Sequence, residues 1–208
     1  MPVIALVGNK GGAGKTTLAV NLAAGLAKQT SAIVIDADPQ GSAIQWNAFT
    51  SSGAANTVLE ARVDLNVQLN ELSRAYEYIV IDCPPSVSSP QTIRVLKVCN
   101  LALIPVQPSP VDLWATVHIE KAVQQARQSN PDLRALLVIN QLETRTTLSR
   151  LVRDALSEID LPVASIALRR RAVFRNSALE GKNVFEMGHR GIDAAREIDE
   201  LIHEVIKI

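Results

Sequence analysis

The sequence predicts a doubly wound α/β domain, with a mostly parallel sheet and helices on both of its faces. Short apolar runs alternate with longer segments of helical periodicity, which is typical of parallel βαβ units. The apolar runs are continuous, as expected for strands that are buried on both faces of a sheet. In such folds ligands bind beyond the carboxyl ends of the strands, so the segments that follow each strand are the first candidates for a functional site.

The elements follow one another regularly along the chain. Each predicted strand is a short apolar run, and in chain order these are residues 3–7, 32–35, 78–81, 101–106, 135–139 and 163–168. Each predicted helix follows one of these strands and carries apolar residues at helical spacing, over residues 15–28, 42–49, 90–98, 111–128, 146–159 and 193–207. Residues 51–75 receive no assignment. The 208 residues contain no internal repeat or linker, so residues 1–208 are expected to form one domain.

The composition is that of a soluble globular protein, with 47% hydrophobic and 20% charged residues. Because 21 basic residues balance 21 acidic residues, binding to a polyanion would require a local basic patch. Cys83 and Cys99 do not form a C-x-x-C pair, which favours a reducing compartment. No apolar run approaches the roughly 20 residues of a membrane span. We therefore expect a cytoplasmic protein.

Residues 8–17 read GNKGGAGKTT and form a candidate phosphate-binding loop. The loop follows a predicted strand and opens a predicted helix, as this motif requires. Its glycines let backbone N–H groups surround phosphate oxygens, while Lys15 can reach the terminal phosphates and Thr16 can offer a hydroxyl to Mg²⁺. The usual pattern G-x-x-x-x-G-K-[ST] would place glycine at position 9, where this chain has Asn9, and Lys10 is an additional cation.

Acidic residues end two of the predicted strands. Asp36 and Asp38 follow the run 32–35, and their spacing places both carboxylates on the same side of an extended chain. Asp82 ends the run 78–81 in the manner of a Walker B motif, where a carboxylate holds Mg²⁺. The stretch from Cys83 to Ser86 then reads CPPS, in which Cys83 is interpreted as a small packing residue.

The segment NKGGAGKTT resembles the deviant Walker A motif of the ParA/MinD family of ATPases, and the following motifs occur in the order seen in that family. The resemblance implies ATP and Mg²⁺ as cofactors and an ATP-sandwiched homodimer, in which Lys10 touches the partner subunit's nucleotide. It implies that Lys10, Lys15 and Asp38 are catalytic, and that Asp38 positions the attacking water. It implies magnesium binding by Thr16, Asp36 and Asp82. It also implies nucleotide binding by a larger set: Lys10, Gly11, Gly12, Ala13, Gly14, Lys15, Thr16, Thr17 and, at adenine, Asn140.

A basic cluster lies near the end of the chain, at Arg169, Arg170, Arg171 and Arg175. Nine basic and five acidic residues occupy positions 134–182, so this part is locally positive. Such a patch can bind phosphates without sequence preference, and ParA relatives bind nonspecific DNA in this way. The sequence also allows two alternatives, in which the arginines pair with acidic side chains or contact the nucleotide.

The resemblance as a whole implies a slow ATPase that dimerises on ATP, binds the nucleoid and positions a cargo, such as a plasmid, a chromosome origin or a carboxysome. A ParB-like or other cargo adaptor would stimulate hydrolysis. The main alternative is MinD-like membrane switching, but the polar face of the tail at 191–208 is rich in acidic residues and would be repelled by anionic lipid, so no membrane partner is expected. A metabolic or iron–sulfur carrier enzyme of the same fold is the other alternative.

Overall fold

The computed structural model describes residues 1–50, 58–143 and 159–208, and six parallel strands within them form one sheet. The strands are β1 (Val3–Leu6), β2 (Ala32–Asp36), β3 (Val58–Glu60), β4 (Tyr78–Asp82), β5 (Leu101–Val106) and β6 (Arg134–Ile139). Their order is β3-β2-β4-β1-β5-β6, and every pair of neighbours is parallel. From β1 the chain first builds the sheet toward the β3 edge and later toward the β6 edge, so the strand order reverses near β1. A ligand crevice is expected at such a reversal, at the carboxyl ends of the strands.

Seven α-helices occur in the described residues. They are α1 (Lys15–Ala27), α2 (Ser42–Ala48), α3 (Leu65–Leu72), α4 (Pro90–Leu96), α5 (Pro110–Arg127), α6 (Ala172–Leu179) and α7 (Ile192–Val205), with two short 3₁₀ helices, Val184–Glu186 and Gly188–Gly191, before α7. Together with the parallel sheet, this arrangement confirms the predicted doubly wound α/β class.

The two faces of the sheet bury separate apolar clusters. Alternate residues of each strand point to opposite faces, so Val3 and Ala5 of β1 join one cluster while Ile4 and Leu6 join the other. Residues of α3, α4 and α5 complete the first cluster, and residues of α1, α2, α6 and α7 complete the second. Burial on both faces explains why the strands read as continuous apolar runs.

The predicted strand at 163–168 is wrong. The segment beside β6 forms only isolated bridges, at Val163 and at Arg169. Between them the backbone N–H of Ser165 donates to the carboxylate of Glu204 on α7, at 2.9 Å to Oε1, and the Ser165 hydroxyl donates to Oε2 at 2.8 Å. A side chain of α7 thus takes the place of a ladder partner, and the ladder does not continue.

Three elements were missed by the sequence patterns. The short strand β3 and the helix α3 fall inside the unassigned stretch 51–75, and α6 begins directly after the arginines at 169–171. A signal for α3 was present, since Asp64 caps it by accepting a hydrogen bond from Val67 N at 3.1 Å. The predicted helix 146–159 lies outside the described residues, except for its last position.

The last helix packs on the sheet. Most apolar residues of α7, among them Ile198 and Leu201, are buried in the second cluster beside α1, whereas Ile192 at the start of the helix is exposed. Lys28, which directly follows α1, pairs with Asp199 of α7 at 3.1 Å. Among the helices that the structure describes, none is both long enough and apolar enough to span a bilayer.

Candidate functional site

The phosphate loop runs from the end of β1 to the start of α1, beside the carboxyl ends of β4 and β5. Gly12 and Gly14 have φ values of 79° and 91°, a conformation that glycine adopts readily and other residues rarely. A Cβ atom on Gly14 would also collide with the side-chain amide of Asn140. These glycines therefore fix the loop's path and its close approach to the end of β6.

Lys15 is the first residue of α1, and its side chain lies buried under the loop. Its Nζ donates a hydrogen bond to the carbonyl of Lys10 at 3.1 Å. Burial lowers the pKa of Lys15, while the nearby negative charges of Asp82 and Asp38 act in the opposite direction. The ammonium group is thus held at the loop among carboxylates, whereas Lys10 itself is exposed to solvent.

Thr16 and Asp82 are joined directly, because the Thr16 hydroxyl donates to Asp82 Oδ2 at 2.6 Å. The other carboxylate oxygen, Asp82 Oδ1, is buried and has no hydrogen-bond partner among the residues that the structure describes. Burial raises the pKa of Asp82 to about 7, the bond from Thr16 opposes this rise, and the charge of Asp36 adds to it. A buried, unpaired carboxylate oxygen beside a hydroxyl fits Mg²⁺, which binds through one or two protein oxygens with phosphates and water as further ligands.

The raised pKa of Asp82 predicts a pH-dependent stability in the absence of nucleotide and magnesium. The folded state holds the proton up to about pH 7, whereas an unfolded aspartate has the ordinary value of 3.8. The folded state therefore binds more protons between these values, and the free energy of unfolding falls as the pH rises toward 7. Between pH 5 and pH 8 the wild type should lose at least about 1 kcal/mol more than Asp82→Asn.

Urea unfolding of both proteins across that pH range measures this difference. Burial also raises the pKa of Asp36, against the effect of its backbone hydrogen bonds, and Asp36 is present in both proteins. The difference between the two proteins therefore reports on Asp82 together with its coupling to Asp36. A constant difference in unfolding free energy between wild type and Asp82→Asn from pH 5 to pH 8 would contradict the assignment.

Asp36 is committed to the backbone around it. Its Oδ2 accepts hydrogen bonds from Ala43 N at 2.9 Å and Ile44 N at 3.1 Å in the first turn of α2. Its Oδ1 accepts from Asp38 N at 3.0 Å. The observed bonds therefore fix the start of α2 and the position of residue 38, and the metal contact inferred from the sequence stays a prediction.

Asp38 lies half-buried just beyond the end of β2. Its Oδ1 accepts a hydrogen bond from Gln40 N at 3.0 Å, which closes a tight local turn. A carboxylate oxygen has a second lone pair, and Oδ2 is a further acceptor, so the group keeps capacity for water. The geometry is compatible with the predicted role in orienting a water molecule.

The ends of β5 and β6 supply side-chain amides to the loop. Asn140 Nδ2 donates to the carbonyl of Ala13 at 2.8 Å, and its Oδ1 accepts from Gln141 N at 2.9 Å. Gln107 and Gln141 both donate to the carbonyl of Gly12, at 2.7 and 2.9 Å. Sequence reasoning singled out Asn140, for adenine, but missed both glutamines. Their only sequence signal is their position just beyond two apolar runs.

A cavity of about 540 Å³ opens beside the loop. It is bounded on one side by the start of α1 and by Asn140 and Gln141, and on the other side by the arginine cluster and α6. Phe174 and Leu168 give it an apolar wall. A cavity of this size, largely apolar with a few polar groups, suits the base and sugar of a nucleotide whose phosphates lie on the loop.

The arginine cluster is engaged with acidic side chains. Arg171 Nη2 pairs with Glu197 Oε1 at 2.7 Å and its Nη1 with Asp193 Oδ2 at 3.1 Å, and these bonds raise its pKa. Arg170 pairs with Glu143 at 2.6 Å, and Arg169 lies 3.7 Å from Glu197. The alternative of acidic pairing thus holds for three of the four arginines. Arg171 fits a structural role better than the predicted DNA contact, because its guanidinium group faces two carboxylates and its side chain is only 22% exposed.

Replacing Arg171 with alanine should destabilise the fold by about 2 kcal/mol, because it removes the main partner of a buried carboxylate. The side chain of Glu197 is 7% exposed. Arg170→Ala is the matched control, and since both members of its pair are more than half exposed, it should lose less than about 1 kcal/mol. Urea unfolding without nucleotide measures both. Equal losses in the two variants would refute the structural role, and Glu197→Gln should partly restore the Arg171→Ala protein.

Comparison with known proteins shows the family of the chain. Residues 4–184 match the family described as CbiA, the CobQ/CobB/MinD/ParA nucleotide binding domain. The chain is 39% identical over 206 residues to the Maintenance of carboxysome distribution protein A of Halothiobacillus neapolitanus, covering 98% of this chain and 95% of that protein. It is 32% identical to the protein of the same name from Gloeobacter kilaueensis, with 88% and 84% covered.

Among solved structures, the fold is similar to that of the Cyanothece McdA(D38A)–ATP complex, with a TM-score of 0.80, 17% identity, and coverage of 100% of this chain and 97% of that chain. At this identity the likeness concerns the fold alone. The family match extends over most of the described strands and includes the phosphate loop, Asp36, Asp38, Asp82 and Asn140. The chain belongs to the CobQ/CobB/MinD/ParA family of nucleotide-binding domains.

Proposed function

We propose that this chain is a ParA-type positioning ATPase that alternates between an ATP-bound dimer and a released form. The observation that carries the proposal is the convergence of Lys15, Thr16 and Asp82 under the glycine loop. Asp82 Oδ1 is buried there, with no hydrogen-bond partner in the described part of the chain. This set contains a cation for phosphate and two oxygens for a metal, and Asp38 follows the strand beside Asp82. A phosphoryl-transfer site requires these components.

In the proposed reaction, the loop N–H groups and the positive end of α1 hold the phosphates. Lys15 exchanges its bond to the Lys10 carbonyl for one to a terminal phosphate oxygen. Thr16 and Asp82 would hold Mg²⁺, which would supply positive charge to offset the negative charge of the phosphates. Asp38 orients a water molecule for in-line attack, releasing ADP and phosphate. Lys10, exposed on the loop, reaches the nucleotide of the partner subunit, so ATP binding favours dimerisation.

The cargo proposed for this ATPase is the carboxysome, because two relatives are named for carboxysome distribution. Nonspecific DNA is the proposed surface to which the ATP-bound dimer binds. With Arg171 assigned to the fold, DNA contact falls to Arg169, Arg170 and Arg175, which are exposed. Membrane binding is disfavoured, because most apolar residues of α7 are buried against the sheet and cannot enter lipid, although Ile192 is exposed. A cargo-bound adaptor would stimulate hydrolysis and release.

Binding to nonspecific duplex DNA with ATP, with ADP and without nucleotide tests the proposal. We expect binding with ATP that weakens steeply as salt is raised, because phosphate contacts release counterions. Vesicles containing anionic lipid should not be bound. DNA binding that does not depend on the nucleotide, or vesicle binding without DNA binding, would refute DNA as the surface bound by the ATP state. Binding to neither surface would favour a metabolic or carrier role on this fold.

The dimer is tested separately through Lys10. Lys10→Ala should bind ATP within about twofold of wild type, because Lys15 and the loop backbone are retained, yet it should remain monomeric with ATP. Light scattering after size exclusion measures the mass. Lys97→Ala, which removes an exposed lysine after α4, is the control and should dimerise normally. An ATP-dependent dimer of Lys10→Ala would refute the role of Lys10 across the interface.

A further inference from the structure

We propose that Gln107 and Gln141 are positioning residues that hold the phosphate loop in its binding conformation through the carbonyl of Gly12. The inference rests on the proposed nucleotide site and extends it to residues outside the loop motif. Gln107 Nε2 donates to Gly12 O at 2.7 Å and Gln141 Nε2 donates to the same oxygen at 2.9 Å. A carbonyl oxygen has two lone pairs, so it can accept both bonds at once.

The orientation of one carbonyl fixes a donor that faces the other way. The peptide bond is planar and trans, so the carbonyl of Gly12 and the N–H of Ala13 point in opposite directions. When the two glutamines hold Gly12 O toward the ends of β5 and β6, Ala13 N–H is directed away from them. Asn140 does the same for the next peptide, because it holds Ala13 O at 2.8 Å and thereby orients Gly14 N–H. Two successive N–H groups are therefore oriented from outside the loop.

These bonds are retained at a cost in conformational freedom. Gly12 is exposed, and its carbonyl could bond to water instead. Ordering one glutamine side chain costs up to about 2 kcal/mol of rotamer entropy, and here two are ordered on a single acceptor. Satisfying the Gly12 carbonyl would therefore not require two ordered glutamine side chains. Preorganisation of the phosphate loop explains them, because a loop that is already ordered loses less conformational entropy when the ligand binds.

The backbone of Gln141 supports the same conclusion. Its φ is 57°, and among the residues that the structure describes it is the only non-glycine with positive φ. The conformation is uncommon for glutamine and is held by the bond from Gln141 N to Asn140 Oδ1, at 2.9 Å. Strained backbone that its surroundings enforce is concentrated at ligand sites. Here the strain places the Gln141 side chain against the loop.

Methionine variants test the proposal, because methionine is close to glutamine in size and shape but has no N–H to donate. Gln107→Met and Gln141→Met should each weaken the binding of a fluorescent ATP analogue about fivefold, and the double variant at least about twentyfold. Gln124→Met, which changes an exposed glutamine of α5, is the matched control and should stay within twofold, or about 0.4 kcal/mol, of wild type.

Melting temperature without nucleotide separates positioning from a general structural role. The positioning role predicts that all variants melt within about 2 °C of wild type, while the upward shift caused by saturating ATP in the wild type shrinks in the double variant. Affinity within twofold of wild type in the double variant would overturn the inference. So would a large fall in melting temperature with affinity unchanged. If the wild type itself binds no ATP analogue, the proposed function fails and the inference with it.

Discussion

Lys15→Ala should abolish detectable ATP binding while leaving the unliganded fold at least as stable as wild type. The two effects have one cause. Lys15 is a buried cation whose pKa burial lowers, so its charge is unfavourable in the free protein despite Asp82 and Asp38. Its Nζ bonds only to the Lys10 carbonyl among the contacts described. When phosphates enter, the same ammonium group gains strong charge-assisted bonds, each contributing about 1.5–3 kcal/mol.

Loss of two such bonds corresponds to a fall in affinity of at least about 100-fold. Titration with a fluorescent ATP analogue measures the affinity, and thermal unfolding without nucleotide measures the stability. Lys28→Ala is the matched control, since Lys28 follows the last turn of the same helix and pairs with Asp199 on the surface. It should bind ATP normally. If Lys15→Ala binds ATP within tenfold of wild type, the lysine does not hold the phosphates in the proposed way.

The parts of the site that were predictable are those whose chemistry is local in sequence. The loop, Asp36, Asp38 and Asp82 each follow directly on an apolar run, so the strand pattern and the residue types suffice to bring them to one edge of a parallel sheet. Register confirms the consequence, because Asp36 and Asp82 are paired positions at the ends of β2 and β4. Their detailed roles depend on hydrogen bonds that no spacing encodes. Asp36, for instance, is occupied by the start of α2.

Contacts across long sequence separations were not predictable. Gln107 and Gln141 meet Gly12 across 95 and 129 residues, and a single glutamine after a strand carries no motif. The arginine cluster has no acid among its own residues, yet Glu197 and Asp193 of α7 lie against Arg171 once the helix packs on the sheet. The strand β3 has three residues, and only its pairing with β2 identifies it. Tertiary packing decides each of these cases.

Asp38→Ala should reduce ATP hydrolysis by about 100-fold or more and accumulate the ATP-bound dimer, while ATP affinity stays within about twofold. Hydrolysis should change while affinity does not because of where Asp38 lies. It follows the end of β2, beside Asp82, and makes no described contact with the loop. It should therefore act on the attacking water and not on the bound phosphates. Single-turnover release of phosphate measures hydrolysis, and size exclusion with light scattering measures the dimer.

A companion variant decides whether the charge of Asp38 or its turn is responsible. Asp38→Asn keeps an oxygen to accept from Gln40 N, as Oδ1 does in the wild type at 3.0 Å, but removes the charge. It should be as slow as Asp38→Ala if the carboxylate orients water, and near wild type if only the turn matters. If Asp38→Ala and Asp38→Asn both hydrolyse ATP at the wild-type rate, Asp38 has no role in hydrolysis and another group must orient the attacking water.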